Sequence, residues 1–275
     1  MTEIKYRSST GNEYNLVGDM MRVTEGTLHK YTWDRKVVEN KSGEKVKEFV
    51  KKAATYTLTI NFRGTLEERK TLLNAIRDDF EHDIINRIPG TFIYGKYYIK
   101  GYVIESETQI SEIKYTWSQD RVQIYCPYPW WIKETHYDFY ASDIYNGSSK
   151  KYAYRYPYRY GGVLTGDYII NEHSDKVDFK MVIFGPVVNP LVIIGGHKYQ
   201  INILLETGEY LEMDTEKGTV IKVMNSGQVV NAFYNREKSS DPFAPIIPGR
   251  HSVEWTGKFD WNITLYAKRS EPEWQ

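Results

Sequence analysis

The sequence has 275 residues, 41% of them apolar and 26% charged, which excludes disordered, collagen-like and coiled-coil chains and leaves ample material for a packed core. Lys plus Arg number 36 and Asp plus Glu 36, so no net field draws the chain onto DNA or an anionic membrane, and sequence-specific nucleic acid is not an expected partner. Tyrosine stands out at 24 residues and lifts aromatics to 15%, a composition that favours strands and extended contact surfaces over helical bundles.

At about 150 residues per domain the length predicts two domains. The single cysteine, Cys126, permits no intrachain disulfide and no multi-cysteine zinc site, and its apolar setting in Ile124-Tyr125-Cys126-Pro127 predicts a buried, inert thiol. The residues after Met1 place no apolar stretch behind their charges, so no secretory signal is expected and synthesis in a reducing cytoplasm is. No apolar run approaches the ~18 residues of a membrane span.

From Met1 to Val50 the chain reads as short strands broken at Thr10-Gly11-Asn12, Glu25-Gly26 and Ser42-Gly43. Asp34 to Lys52 is dense in charge (Arg35, Lys36, Lys41, Lys45, Lys47, Lys51 and Lys52 against Asp34, Glu39, Glu44 and Glu48), which predicts a solvated hairpin or loop. Ala54 to Phe62 alternates, with Tyr56, Leu58, Ile60 and Phe62 on one face and threonines and Asn61 on the other, the mark of a half-buried strand.

Thr65-Leu66-Glu67-Glu68 is a capping box, and behind it Leu72, Leu73, Ile76, Phe80 and Ile84 recur at helical spacing until Asn86 and Pro89-Gly90 end the helix. It is expected to be the only long helix, with Asp78 and Asp79 on its solvated side. Strands follow at Thr91 to Tyr98 and Tyr102 to Glu107, joined near Lys100-Gly101, and at Trp117 to Tyr125. Pro127 and Pro129 lack the N–H that a central strand needs, so Cys126 to Trp131 should close a first domain of residues 1–135.

Tyr152, Tyr154, Tyr156, Tyr158 and Tyr160 stand at period two and project from one face if extended, either as a platform for sugar rings or as an edge strand packed on a neighbour. Strands are then expected at Asp178 to Phe184, Leu191 to Ile194, Gln200 to Leu205, Tyr210 to Asp214, Thr219 to Val223, His251 to Trp255 and Trp261 to Ala267. Short strands without helical period imply a β-sandwich over residues 136–275. The fold class is therefore mainly β with one long helix.

Chemistry is sparse. His29, His82, His136, His173, His197 and His251 have no metal-ligand spacing, and nucleophile-elbow, P-loop and dinucleotide motifs are absent, so no catalytic residue, metal or cofactor is expected. Adjacent acids such as Asp78-Asp79 and Glu67-Glu68 do not single out a glycosidase pair.

An ordered set of phrases carries the reading further: Pro127-Tyr128-Pro129-Trp130-Trp131, Phe184-Gly185-Pro186-Val187-Val188-Asn189-Pro190, Gly208-Glu209-Tyr210-Leu211-Glu212-Met213-Asp214-Thr215, Phe243-Ala244-Pro245-Ile246-Ile247-Pro248-Gly249, and the final Glu271-Pro272-Glu273-Trp274. Together they resemble the distal tail protein (Dit) family of siphophages of Gram-positive hosts, over essentially the whole chain. The residues at the matching corners are Pro129, Trp130, Gly185, Pro186, Asn189, Pro190, Gly208, Asp214, Gly249, Pro272 and Trp274. Physically, the Gly-Pro and Asn-Pro pairs make a corner that swaps the chain between sheets, Gly208-Glu209 caps a hairpin, and the Asp214 carboxylate accepts backbone N–H groups of the next turn.

The resemblance implies an N-terminal β-sandwich or split-barrel tube domain with one helix at about residues 65–86, and a C-terminal galectin-like or carbohydrate-module-like sandwich. It implies a non-enzymatic virion protein, the baseplate hub of a siphophage or prophage, assembled in the bacterial cytoplasm. The partners it implies are copies of itself in a hexameric ring, the tail tube protein, the tail-associated tip protein and a receptor-binding protein. The other reading of the same residues is a carbohydrate-binding protein that stacks host cell-wall saccharide on Tyr154, Tyr156, Tyr158, Trp255 or Trp261.

Overall fold

The computed structural model describes residues 2–110, 117–141 and 164–274. The chain forms two compact units, Met1–Lys133 with Lys268–Gln275, and Glu134–Ala267. Lys268 onward thus lies in the first unit and not, as the sequence implied, in the C-terminal sandwich. The guanidinium of Arg269 lies over the Tyr97 ring and pairs with Glu273, Pro272 is buried, and Trp274 stacks on His29 at 4.0 Å and 15°.

The first unit contains strands β1 (Ile4–Arg7), β2 (Glu13–Asn15), β3 (Met21–Gly26), β4 (Asp34–Asn40), β5 (Gly43–Val50) and β6 (Ala54–Arg63), helix α1 (Leu66–Asn86), then β7 (Gly90–Tyr94), β8 (Tyr97–Ile110), β9 (Trp117–Cys126) and the start of β10 (Trp131–Phe139). One antiparallel array runs β2-β1-β7-β8, with Ile132 and Lys133 of β10 opposite Tyr98 and Tyr97; a second runs β3-β6-β9-β8. Strand β8 serves both because it is long and bulged between Val103 and Glu105. As the alternation predicts, Tyr56, Leu58, Ile60 and Phe62 all point into the core, where they meet Val122, Ile124, Cys126 and Trp131.

The β7–β8 hairpin turns at Gly95, with φ 57°, and not at Lys100-Gly101 as predicted. Gly101 lies within β8 opposite Gly90, and its lack of a side chain serves packing: a Cβ there would stand 2.7 Å from Cys126 Sγ and 2.8 Å from Ile124 Cγ2. Cys126 itself is buried, and burial pushes its thiol up to about 12, consistent with an inert group.

Helix α1 begins at the predicted capping box: Glu68 N–H donates to Thr65 Oγ1 at 3.3 Å and Thr65 N–H to Glu68 Oε2 at 2.8 Å. Arg87, in the left-handed region at φ 56°, ends it. The buried row is Arg69, Ile76, Asp79, Phe80 and Asp83, so Asp78 is solvated as expected and Asp79 is not. Ile84, expected on the buried stripe, is exposed, because the packed face runs from Asp79 and Phe80 to Asp83.

The second unit holds β11 (Leu164–Asn171), β12 (Asp178–Phe184), β13 (Val187–Val188), β14 (Leu191–Ile194), β15 (His197–Gln200), β16 (Leu204–Leu205), β17 (Tyr210–Asp214), β18 (Thr219–Val223), β19 (Val229–Asn231), a 3-10 turn at Phe233–Asn235, β20 (Gly249–Trp255) and most of β21 (Trp261–Arg269). The sheet β19-β18-β17-β12-β21 and the sheet β11-β20-β14-β15 share one core, in which Phe179, Met181, Leu211 and Ile263 of the first meet Val192, Tyr199, Val253 and Trp255 of the second. That is a β-sandwich.

The Gly-Pro and Asn-Pro corner does swap sheets, carrying the chain from β12 in one to β14 in the other through a cis Gly185-Pro186 bond and Asn189 at φ 49°. A Cβ on Gly185 would stand 2.1 Å from the Glu206 carbonyl oxygen, so only glycine fits. The predicted strand Gln200 to Leu205 is interrupted, since Ile201 N–H turns to Pro190 O and Asn202 N–H to Asn235 O. Gly208-Glu209 makes a turn but caps no hairpin: β16 pairs with β13, whereas β17 pairs with β12 and β18.

Trp261 stacks on Phe139 at 4.2 Å and 8° and meets Trp255 edge-on. Trp261→Ala is expected to destabilise the second unit by about 3–5 kcal/mol, read as a lowered denaturant midpoint in equilibrium unfolding followed by far-UV circular dichroism.

Candidate functional site

The residues proposed to contact saccharide do not form a described surface. Trp255 and Trp261 are 3% and 1% exposed and belong to the core of the sandwich, so neither offers a face to a sugar ring. Tyr154, Tyr156 and Tyr158 lie outside the described residues.

The corner residues are placed as fold elements. Pro129 is buried and Trp130 half-buried beside Trp33 and Tyr128. Pro190 is buried with its carbonyl accepting from Ile201, and Gly208 and Gly249 take φ of 84° and 107°. Asp214 accepts from Lys217 N–H at 3.1 Å and pairs with its ammonium at 2.9 Å. These contacts hold turns and do no chemistry.

Three features of the first unit do point outward or store charge. The first is the ribbon β4–β5, whose strands, among the described residues, pair only with each other. One face carries Val37 opposite Val46 and Arg35 opposite Phe49; the other carries the Lys36–Glu48 pair at 2.8 Å. Phe49 is 60% exposed, and Val46 on the same face is exposed with it. An isolated two-stranded ribbon is marginal in water, and an apolar face without cover marks a contact surface. Ile84, Ile85 and Ile88 at the end of α1 are exposed too, Ile85 to 75%.

The second is the root of that ribbon. Trp33 and Trp130 meet at 5.5 Å and 76°, with Lys51 Nζ 4.1 Å from the Trp130 centroid, beside a cavity of about 300 Å³.

The third is a carboxylate network under α1. Asp79 accepts from Thr10 Oγ1 at 2.8 Å, Asn12 Nδ2 at 3.0 Å and the Tyr14 hydroxyl at 2.5 Å. Asp83 accepts from the Tyr6 hydroxyl at 2.6 Å and Ser9 N–H at 2.9 Å. Burial raises the Asp79 carboxyl, but the donors from Tyr14, Asn12, Thr10 and Ser8 together outweigh it and hold the group below its ordinary 3.8. Burial also raises the Tyr6 phenol, reinforced by its bond to Asp83, so Tyr6 stays a donor. The hydrogen bonds these acids accept tie α1 to the β1–β2 hairpin.

Sequence reasoning missed this network because Asp79 read as a solvated acid and nothing singled out Asp83. The signal that could have found it is the run of donors Tyr6, Ser9, Thr10, Asn12 and Tyr14, too rich for a plain hairpin. Among the described residues no group of His, Cys, Asp or Glu is arranged to hold a metal ion.

Because its folded value is depressed, Asp79 contributes stability that is present above its unfolded value and lost as pH falls through the folded one. Asp79→Asn is expected to cost about 1–3 kcal/mol at neutral pH. The gap between wild type and variant should close only below about pH 4, as measured by urea unfolding at stepped pH.

No family model and no curated protein matches the sequence. Solved structures do match at full length. A chain of the phage P2 baseplate in its activated conformation with calcium is 12% identical, with a TM-score of 0.63 over 99% of this chain and 100% of that one. The same baseplate with strontium gives 12% and 0.61 over 99% and 100%. The SPP1 Dit protein, described as a paradigm of hub adsorption apparatus in phages infecting Gram-positive hosts, is 10% identical with a TM-score of 0.60 over 97% of this chain and 99% of its own. The chain has the β-rich fold of the Dit hub and baseplate proteins of phage tails, in both of its units.

Proposed function

We propose that the protein is a structural component of a phage virion: the distal tail hub, which closes into a hexameric ring and joins the tail tube to the tip and host-adsorption apparatus. The observation that carries this reading is likeness of fold to SPP1 Dit over 97% of the chain. The first unit is the ring-forming domain and the second faces the adsorption apparatus.

Self-assembly has physical support in the surface. Among the described residues, Val46 and Phe49 on one face of the ribbon and the isoleucines ending α1 are exposed, and a neighbouring subunit would cover them. A ring needs a heterologous interface, in which one surface of each copy meets a different surface of the next, and a protruding arm provides one half of such a pair. Zero net charge leaves no long-range repulsion between copies. The role is non-catalytic, with tail tube and tip proteins as axial neighbours, and the protein is made in the bacterial cytoplasm before incorporation.

Light scattering on the purified protein is expected to give the mass of six subunits, with rings in negative-stain images. Deleting Val37 to Lys47 should leave a folded chain that no longer forms them. A variant without the ribbon that assembles as the wild type does would remove the arm from the interface.

A further inference from the structure

At the root of the ribbon the cavity of about 300 Å³ is walled by Lys30, Lys51 and Lys52 against a single carboxylate, Asp34. Asp34 is already engaged by Lys52 at 2.5 Å. Lys51 is left without a counter-charge: its ammonium sits against Trp130 and, at 5.7 Å, Trp33, sealed from water and donating to no acceptor. Tyr56, 1% exposed, lines the same cavity and brings no charge to it. A buried ammonium without an acceptor is something folded proteins rarely tolerate without a reason.

An orphan ammonium beside a cavity is either a reactive amine or half of an ion pair. A reactive amine needs a nearby acid or base to move protons, and the only carboxylate on this wall is held by Lys52. Half of an ion pair needs only an acid from outside. Indole faces hold the cation loosely, and the flexible lysine stem lets the ammonium swing toward the cavity it already lines.

The geometry points to this cavity as a receptor for a carboxylate side chain presented by a second copy of the chain, with Lys51 leaving its indole stack to pair with it. The inference rests on the ring reading above. The cavity lies at the root of the ribbon whose apolar face needs covering by a neighbour, so the same neighbour passes it. Trp33 at the ribbon's entry and Trp130 in the turn before β10 face Lys51, and the cavity beside it is lined by the Asp34–Lys52 pair, Lys30 and Tyr56 of β6. Burial holds the free amine down to about 8, and an arriving carboxylate restores its proton affinity.

The test titrates the full chain, kept dilute and unassembled, with N-acetylglutamate amide, using N-acetylglutamine amide as the uncharged twin and tryptophan fluorescence as readout. Saturable quenching in the millimolar range by the acid alone is expected, weakened about tenfold or more in Lys51→Met and retained in Lys51→Arg. Equal responses to the two amides, or unchanged binding in Lys51→Met, would overturn the site. Light scattering then reads the source: Lys51→Met rings should dissociate at about tenfold higher protein concentration than wild type. Rings equally stable in both would exclude the second copy as the source. Should the wild type never assemble, the ring reading and the second copy fail together while the acid titration still decides the site.

Discussion

The first unit depends on two carboxylates that α1 drives into its interior. A sheet face must be covered, and among the described residues this unit has one helix with which to do it. Buried acids are costly unless fully hydrogen-bonded, and Asp79 and Asp83 are offset by donors that all come from Tyr6 to Tyr14. The helix therefore cannot seat without the β1–β2 hairpin, nor the hairpin close without the helix. Gly90 completes the constraint, since a Cβ there would stand 2.5 Å from Asp83 Oδ2 and 2.4 Å from the Tyr6 ring.

Patterns of apolar residues were legible, and patterns of polar residues that fold inward were not. The alternation of β6, the capping box at Thr65 and the sheet-swapping corner at Gly185 and Asn189 all follow from local chemistry and stand where the residues place them. The buried face of α1 was misread because Arg69, Asp79 and Asp83 take positions that an apolar count assigns to solvent. Gly101 reads as a turn in any single sequence, yet its role is set by Cys126 and Ile124 on a strand twenty-odd residues away, which only the register of β8 on β9 reveals.

The aromatic residues divide in the same way. Trp131, Trp255 and Trp261 fill the two cores and were indistinguishable in sequence from residues that would stack on a ligand. Trp33 and Trp130 look no different by composition, but they gather at the surface around a cation. Exposure, not residue type, separates packing from recognition, and exposure depends on contacts between residues far apart in the chain.

Connectivity adds a last consequence. The second unit is inserted between Lys133 and Lys268 of the first, so the backbone enters it along β10 and returns along β21. A protease that cuts one connection cannot release it, because the other still tethers it. The same arrangement lets evolution exchange or enlarge the inserted module while the flanking segments keep their own packing, so the module can change without redesign of the unit that carries it.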